Sequence, residues 1–182
     1  MYEQFKIRAE GVSAEVYRFV TKSEALDFLI RFLEQEGVAD KPDAFALWAD
    51  CPFLEGIDRK SLEKIAGMKF EVTRELAPDA KFGISQMEWA LADTGTLVDD
   101  SSAIEQRLVS SLPSIHIALV PMSGILPDMP TLLSKVHPKN CAYLAMITGP
   151  SRTADIERVL TIGVHGPDRL VIVFVDEMGG EN

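Results

Sequence analysis

The stretch from Tyr143 to Glu157, which reads Y-L-A-M-I-T-G-P-S-R-T-A-D-I-E, decides how the fold is interpreted. Its first five residues form an apolar run that is too short for a helix and that breaks at Gly149-Pro150. Beyond Thr153 the apolar residues return with the spacing of a helix. The stretch therefore predicts a buried strand, a tight turn and a helix over residues 154–162.

The turn of this stretch carries the side chains that point to a function. Thr148, Ser151 and Thr153 bring three hydroxyls to the end of a strand, and Arg152 brings a guanidinium. A helix that begins after the turn presents backbone N–H groups and the positive end of its dipole to the same space, and such a place binds anions. The predicted anion-binding residues are Gly149, Ser151, Arg152, Thr153, Asp155 and Glu157.

A purely structural interpretation accounts for the same residues. Ser151 or Thr153 serves as the N-cap of the helix. Asp155 and Glu157 are the acidic residues that helices favour in their first turn, and Arg152 is a surface partner of Asp155 three residues on. The turn by itself fits both interpretations.

Length and charge limit the classes of protein to which the chain can belong. With 182 residues and 47% hydrophobic content, residues 1–182 are long enough to bury a sizeable core and are most simply a single domain. Lys and Arg total 18 against 28 Asp and Glu, and the formal charge of −10 is not interrupted by any basic run. Nucleic acids and anionic membranes are repelled by such a surface, so we expect neither as a partner.

The cysteines and the termini indicate a reduced, cytoplasmic protein without a cofactor of its own. Cys51 and Cys141 lie far apart without C-x-x-C spacing, so this chain alone does not build a zinc site or an iron–sulfur cluster. Both are interpreted as small buried residues. The N-terminus lacks a signal-peptide pattern, and no apolar stretch reaches the ~18 residues of a membrane span. Residues 177–182 are predicted to be a frayed tail.

Apolar runs and amphipathic stretches alternate along the chain, which predicts an α/β fold. The predicted architecture has three layers, with a mostly parallel sheet and helices on both faces. In such sheets ligands bind beyond the carboxyl ends of strands, where the turn at Gly149 is expected to lie. Predicted strands cover 14–20, 44–49, 68–73, 82–85, 115–120, 143–147 and 170–175, with a further strand after the turn at 94–96.

Two capping boxes mark predicted helix starts. Thr21 with Glu24 opens a helix that ends at Gly37, and Ser102 with Glu105 opens one that ends before position 113. Further helices are predicted from residue 58 to 67, over 86–92 and through residues 132–136. His116 within the strand 115–120 is interpreted as a hydrogen-bonded core or sheet-face histidine and not as a ligand, because no second histidine or acid lies at chelating spacing.

Three motifs, in their order along the chain, resemble one known family. They are Asp93–Val98 (D-T-G-T-L-V), Gly149–Glu157 (G-P-S-R-T-A-D-I-E) and Gly163–Pro167 (G-V-H-G-P), and they are similar to motifs in the LUD domain of the lactate utilization protein C family. Ser114–Pro121 (S-I-H-I-A-L-V-P) is similar to the strand before that family's variable loop. The resemblance is strong over residues 82–176 and looser before them.

The resemblance carries implications for fold and function. It implies a fold like that of glucosamine-phosphate deaminase, ribose-phosphate isomerase and the CoA transferases. It also implies a role in oxidising L-lactate to pyruvate with two partner proteins, at least one of which carries iron–sulfur clusters. Since this chain has no cysteine cluster, it is expected to be the non-redox subunit, which binds substrate or partner. A carboxylate such as lactate or a phosphate would suit the predicted anion site.

A second function stays open beside this one. The chain is alternatively a stand-alone enzyme that uses the strand-end pocket on a phosphorylated, CoA or other acyl substrate. Asp155 or Glu157 would then serve as the general base. No catalytic signature of the wider fold matches residue by residue, and P-loop and G-x-G-x-x-G patterns are absent from the sequence, so the catalytic residues stay unknown.

The first motif (Asp93–Val98) and the third (Gly163–Pro167) supply a second candidate patch. Each follows a predicted helix and precedes a predicted strand, which in a parallel sheet is the edge opposite from Gly149. A helix between Thr153 and Gly163 spans about 15 Å at 1.5 Å per residue, so contact with Ser151 requires an antiparallel strand or a second subunit. The histidine of the last motif is equally well explained as a turn residue that binds a helix C-terminal carbonyl. The residues of this patch are Thr94, Gly95, Thr96 and His165.

Overall fold

The computed structural model describes residues 1–136, 141–154, 160–162 and 166–178. Its helices are α1 (Tyr2–Gly11), α2 (Lys22–Gln35), α3 (Arg59–Leu62), α4 (Ile104–Ser111) and α5 (Met129–Lys135). Its strands are β1 (Glu15–Phe19), β2 (Ala46–Trp48), β3 (Met68–Lys69), β4 (Phe82–Gln86), β5 (Trp89–Leu91), β6 (Thr96–Asp100), β7 (Ile115–Pro121), β8 (Ile125–Leu126), β9 (Leu144–Ile147), β10 (Arg152–Ala154), β11 (Leu160–Ile162) and β12 (Arg169–Val175). Short 3-10 helices cover Pro52–Leu54, Ala77–Asp79, Met122–Gly124 and Asp176–Met178.

A six-stranded parallel sheet forms the centre of the fold, in the order β1-β12-β7-β4-β2-β3. In its register, Ile115 at the start of β7 pairs with both Phe82 of β4 and Arg169 of β12. The apolar runs that predicted β2, β7 and β12 are confirmed as strands whose residues are almost all buried, as expected where a parallel sheet is covered on both faces. The predicted mostly parallel α/β architecture is confirmed.

One face of this sheet is covered by α2 and α3. Leu29 and Leu33 of α2 are fully buried against the sheet and share a core with Trp48. The first predicted capping box is confirmed: the Thr21 hydroxyl accepts from the Glu24 backbone N–H (3.2 Å), and the Glu24 carboxylate accepts from the Thr21 backbone N–H (3.1 Å). The cap satisfies two N–H groups that would otherwise be unpaired at the helix start.

The other face is covered by α1, α4 and a second, four-stranded sheet in the order β8-β5-β6-β9. The helix predicted over 86–92 is wrong, because this segment contains β5, which runs antiparallel to β6. Ala90 packs in the core beneath the parallel sheet, whereas Leu91 packs in a separate core on the outer side. A short apolar run covered on both faces fits a strand as well as a helix, and its pairing partners decide between them.

The second predicted capping box, Ser102 with Glu105, is wrong, although the helix that it predicted is present as α4. The N-cap of α4 is Ala103, which makes no side-chain capping bond. Ser102 instead binds Asp100, whose carboxylate accepts from both the backbone N–H and the hydroxyl of Ser102. Serine bonds of this local kind compete with capping.

The helix predicted over 154–162 is replaced, at its described residues, by two strands that pair antiparallel. In the pairing of β10 with β11, Arg152 lies opposite Ile162 and Ala154 lies opposite Leu160. Three apolar residues are a weak helical signal, and β-branched threonine and isoleucine favour strands. The strand predicted before the turn is confirmed as β9, but it is a partly exposed edge strand of the second sheet and not a buried one.

None of the helices in the described ranges combines the length and the apolar character that crossing a membrane requires.

Candidate functional site

The antiparallel pairing of β6 with β9 brings the first two motifs together. Leu97 pairs with Ile147, so the turn before β6 lies beside the turn after β9. The Thr96 and Thr148 hydroxyl oxygens are 2.8 Å apart, and the Thr96 hydroxyl lies 2.8 Å from that of Thr94. The expected separation of residues 94–96 from Gly149 is therefore wrong, because β9 belongs to the second sheet and runs antiparallel to β6.

Two glycines allow α1 to pack against these turns. Gly95 and Gly149 both have φ of +70°, in the left-handed region that favours glycine. A Cβ atom on Gly95 would lie 2.5 Å from the Ala9 backbone nitrogen, and one on Gly149 would lie 2.6 Å from the Val12 carbonyl oxygen. Both motifs therefore need glycine for conformation and for close approach to α1 and the residue after it.

The end of the third motif meets the middle of the second. The Ser151 backbone N–H donates to the Pro167 carbonyl (2.7 Å), and a Cβ atom on Gly166 would lie 3.2 Å from the Ser151 Cβ. The expectation that a helix would hold this motif about 15 Å from Ser151 is wrong for Gly166 and Pro167. The predicted site residues His165, Asp155 and Glu157 lie outside the described residues.

Arg152 links the second motif to the end of α1. Its exposed guanidinium donates to the Val12 carbonyl (2.7 Å) and to the Ser13 hydroxyl (2.8 Å). Residues 152–154 form a strand, so no helix N-terminus lies at Thr153 to attract an anion with its dipole. The anion-binding assignment of these residues stays a prediction that rests on their side chains and backbone N–H groups.

A cavity of about 350 Å³ lies where the motifs meet. Its walls are the turn after β9, residues 166–167, the C-terminal end of α4 and the first residues of β7 and β12. It therefore lies at the carboxyl end of β9 and at the amino ends of β7 and β12, whereas the sequence placed all three strands in one parallel sheet. Gly149 and Ser151 are predicted site residues that line it, and the further hydroxyls at its wall belong to Ser110, Ser111 and Thr148.

His116 lines the same cavity from the start of β7. Its side chain is fully buried, and its Nε2 lies 2.8 Å from the Oγ of Ser85, which is also fully buried. Its Nδ1 has no hydrogen-bond partner among the described residues. Burial lowers the pKa of His116 to about 3, because the charged imidazolium would lose its hydration.

The sequence interpretation of His116 as a buried, hydrogen-bonded histidine is correct but incomplete. It missed that His116 is among the residues that line a cavity together with the second and third motifs. It also assigned no function to Ser85, Ser110 or Ser111, whose places depend on how β4 and α4 pack. The one signal that could have pointed to His116 was the similarity of its own strand, S-I-H-I-A-L-V-P, to the family.

The cysteines and acids offer no metal site in the described part of the chain. Within it, no group of three or more His, Cys, Asp or Glu side chains is arranged to hold a metal ion. Cys51 is a buried free thiol, as predicted, and its burial raises the pKa of the thiol. Cys141 is also free but partly exposed, so its interpretation as a buried residue is wrong.

Comparison with solved structures supports the architecture. A DUF162 family protein from Deinococcus radiodurans, solved at 1.70 Å, superposes with a TM-score of 0.63 over 96% of this chain and 95% of that chain. The two sequences are 18% identical, so this likeness shows the fold alone.

Comparison with known sequences identifies the family. Lactate utilization protein C of Bacillus subtilis is 40% identical over 116 residues, which is 60% of this chain and 48% of that protein. Lactate utilization protein C of Halalkalibacterium halodurans is 37% identical over 109 residues, which is 57% of this chain and 47% of that protein. The aligned part therefore spans about half the length of these relatives. The family model described as the LUD domain matches residues 2–175, nearly the whole sequence. The chain belongs to the LUD domain family.

Proposed function

We propose that this chain is a lactate utilization protein that acts as a non-redox subunit or accessory protein of an iron–sulfur system oxidising L-lactate to pyruvate. The observation that carries the proposal is that the second and third family motifs line one cavity, while Thr96 of the first motif contacts Thr148 at its wall. The names of the relatives, which are lactate utilization proteins, supply the substrate. A cavity of about 350 Å³ is near the small end of the range of about 300–1,000 Å³ for ligand pockets and suits a small acid.

The turn after β9 supplies the groups that would hold the carboxylate. Gly149 and Ser151 line the cavity. Arg152 is not among the described lining residues, and it follows Ser151 directly in the chain, with Thr153 after it. A guanidinium has five N–H donors in a fixed plane, so Arg152 can bind the Val12 carbonyl and still donate to a carboxylate. Asp155 and Glu157, farther along the same motif, are included in the proposed ligand-binding segment. Phosphate is recognised by the same donors, so the chemistry of the site is that of a small oxyanion.

The electron-transfer step is assigned to partner proteins in this proposal. Oxidation of lactate to pyruvate releases two electrons, and an acceptor must take them. The two thiols of this chain do not form a cluster motif, since Cys51 is buried in the core beside Trp48 and Cys141 lies in a different part of the sequence. The iron–sulfur clusters are therefore proposed to be on partners, and the cytoplasmic location predicted from the sequence is part of the same proposal.

The pair of Ser85 and His116 does not favour the alternative of a stand-alone acyl-transfer enzyme. A serine nucleophile needs access to substrate and a base with a pKa near the working pH. Ser85 is fully buried and is not among the described residues that line the cavity, and the pKa of His116 is lowered to about 3. The stand-alone enzyme is the competing hypothesis, and the experiment below must distinguish it from the non-redox subunit.

Lactate-dependent dye reduction tests the proposal directly. The purified chain, its iron–sulfur partners and the mixture are each given L-lactate and an artificial electron acceptor. We expect turnover to require the partners and to rise when this chain is added. Dye reduction by the chain alone would contradict the non-redox assignment and favour the stand-alone enzyme.

The anion site is tested by comparing Arg152→Ala with Arg31→Ala, in which an exposed arginine of α2 is removed. A hydrogen bond from a charged donor contributes about 1.5–3 kcal/mol, so Arg152→Ala should raise the Kd for lactate at least ~10-fold. Arg31→Ala should leave the Kd unchanged. Thermal unfolding of both variants reports whether the contact of Arg152 with the end of α1 is lost as well. Full complex activity and unchanged lactate affinity in Arg152→Ala would show that the guanidinium does not bind the ligand.

A further inference from the structure

We propose that His116 is a specificity-determining residue of this cavity and that its Nδ1 binds the 2-hydroxyl of a 2-hydroxy acid. This inference rests on the proposed function, because it takes the carboxylate of the same ligand to be held at the turn after β9. It adds the group that would distinguish a 2-hydroxy acid from a plain carboxylic acid. The sequence motifs did not predict that His116 recognises a hydroxyl group.

The first support is the unsatisfied nitrogen. Buried polar groups in folded proteins nearly always have a hydrogen-bond partner, since leaving one unpaired costs free energy. His116 is fully buried and lines the cavity, its Nε2 is 2.8 Å from the Ser85 Oγ, and its Nδ1 has no partner among the described residues. A ligand atom in the cavity is the partner that the geometry points to.

The second support is the chemistry of the cavity wall. Every described residue that lines the cavity is uncharged at neutral pH, and the polar groups are hydroxyls, backbone groups and the imidazole. Such a wall suits the uncharged part of the ligand, which it recognises by hydrogen bonding, while the proposed charged partner of the carboxylate is Arg152 beyond the described lining. A hydroxyl fits the imidazole in either tautomer, because it can donate to a bare Nδ1 or accept from a protonated one.

Ser85 is the positioning residue in this arrangement. It lies on β4, next to β7, and its hydroxyl reaches the ring diagonally across the two strands. This hydrogen bond holds the ring orientation, and its removal changes the relative stability of the two imidazole tautomers. Gly83 on the same strand leaves room for α4, whose Ser110 and Ser111 complete the wall beside the ring.

Binding of L-lactate and of propionate to the full chain tests the inference, because propionate has the carboxylate but lacks the 2-hydroxyl. A site built to bind a hydroxyl penalises a ligand that leaves its polar group unpaired. We expect wild-type protein to bind lactate at least ~10-fold more tightly than propionate, by isothermal titration calorimetry. His116→Phe keeps a planar ring but removes both nitrogens, and should bind the two acids equally. Equal affinities in the wild type, or unchanged discrimination in His116→Phe, would overturn the inference.

Nuclear magnetic resonance of the wild-type chain gives a test that does not depend on a variant that folds. The ¹⁵N resonance of the His116 Nδ1 should shift when lactate is added and should not shift with propionate. In Ser85→Ala the proportions of the two imidazole tautomers should change, and the preference for lactate should fall. A purely structural role of Ser85 would leave the tautomer signal unchanged.

The outcomes separate this inference from the proposed function. If lactate and propionate bind equally well, the carboxylate site stands and the assignment of His116 is wrong. If neither acid binds the chain or its complex with partners, the proposed small-acid site is wrong, and the inference falls with it.

Discussion

The central strands β7 and β12 and the edge strand β9 are held in place by different means. Nearly all residues of β7 and β12 are buried, and each strand pairs with neighbours on both sides. In β9 burial is partial, and Met146 is 47% exposed. The central strands are stabilised by apolar surface removed from water, whereas β9 and its turn depend on a few specific contacts.

Those specific contacts also form the candidate site. They are the hydrogen bonds of Thr96 with Thr148 and of Ser151 with Pro167, and the close approach of Gly149 to Val12. Elements with few buried apolar contacts open at a lower free energy than the core, and ligand-binding segments are commonly of this kind. Substitutions in the parallel sheet are therefore expected to change global stability, whereas those around β9 are expected to change local opening and ligand binding.

The largest loss of stability is expected from Gly83→Ala, which tests the packing of the parallel sheet. A Cβ atom there would lie 1.9 Å from the Val109 carbonyl oxygen, and this backbone atom of α4 cannot move without displacing the helix. We expect a loss of about 3 kcal/mol in the free energy of unfolding, measured by urea denaturation, at the upper end of overpacking costs. Gly11→Ala is the control, since a Cβ atom there has nothing within 4 Å. Equal stability of the two variants would contradict the packing of α4 on β4.

A smaller and more local effect is expected from Gly149→Ala. The left-handed conformation costs a non-glycine residue about 1–2 kcal/mol, and the Cβ atom would also press on the Val12 carbonyl oxygen. Hydrogen exchange should accelerate in β9 and at the end of α1 while the amides of β7 stay protected. If β7 loses protection to the same extent as β9, the two regions unfold as one unit and the proposed difference between them does not exist.

The smallest effect, and the one that depends on pH, concerns Asp99 of β6. Burial raises the pKa of this carboxyl, with Asp100 adding to the rise and the hydrogen bond from Ser101 opposing it. Because the folded-state pKa lies above the ordinary value of 3.8, the fold favours the protonated form, and Asp99 reduces stability as pH rises from that value through the folded pKa. Asp99→Asn should therefore gain stability relative to wild type as pH rises towards 7.

Asp100→Asn is the matched control for this experiment and has the opposite sign. The hydrogen bond from Ser102 holds the pKa of Asp100 below its ordinary value, so its contribution is present above that value and is lost as pH falls. Thermal unfolding of both variants between pH 3 and 7 measures the two slopes. The burial of Asp99 would be contradicted if both variants changed stability in the same direction with pH.

Local patterns predicted much of the fold for a physical reason. A buried parallel strand is a continuous apolar run, and the sequence of β7 or β12 contains that run whatever its neighbours are. The helix α2 was found because its capping box and its apolar stripe agree with each other. Where only one weak signal was present, as with Ser102 or the three apolar residues after Thr153, the prediction was wrong.

The candidate site was predicted as separate parts. Gly149, Ser151 and Thr94 to Thr96 were singled out on the sequence, but their meeting depends on a strand that runs antiparallel in a second sheet. No local pattern encodes that direction, since β9 has the same apolar character whichever way it runs. His116 was judged by the lack of a chelating neighbour, and its cavity appears only when four separate segments pack around it.

The sequence by itself determined the family, the parallel core and the residues of the motifs, because these depend on side-chain type and on spacing within a few residues. Only the tertiary structure decided that the motifs meet, that the cavity lies at the amino ends of the parallel strands and that His116 lines it. The physical reason is distance along the chain. Thr96 and Thr148 are 52 residues apart, and a contact of that kind is selected by the packing of the whole molecule and not by the residues on either side.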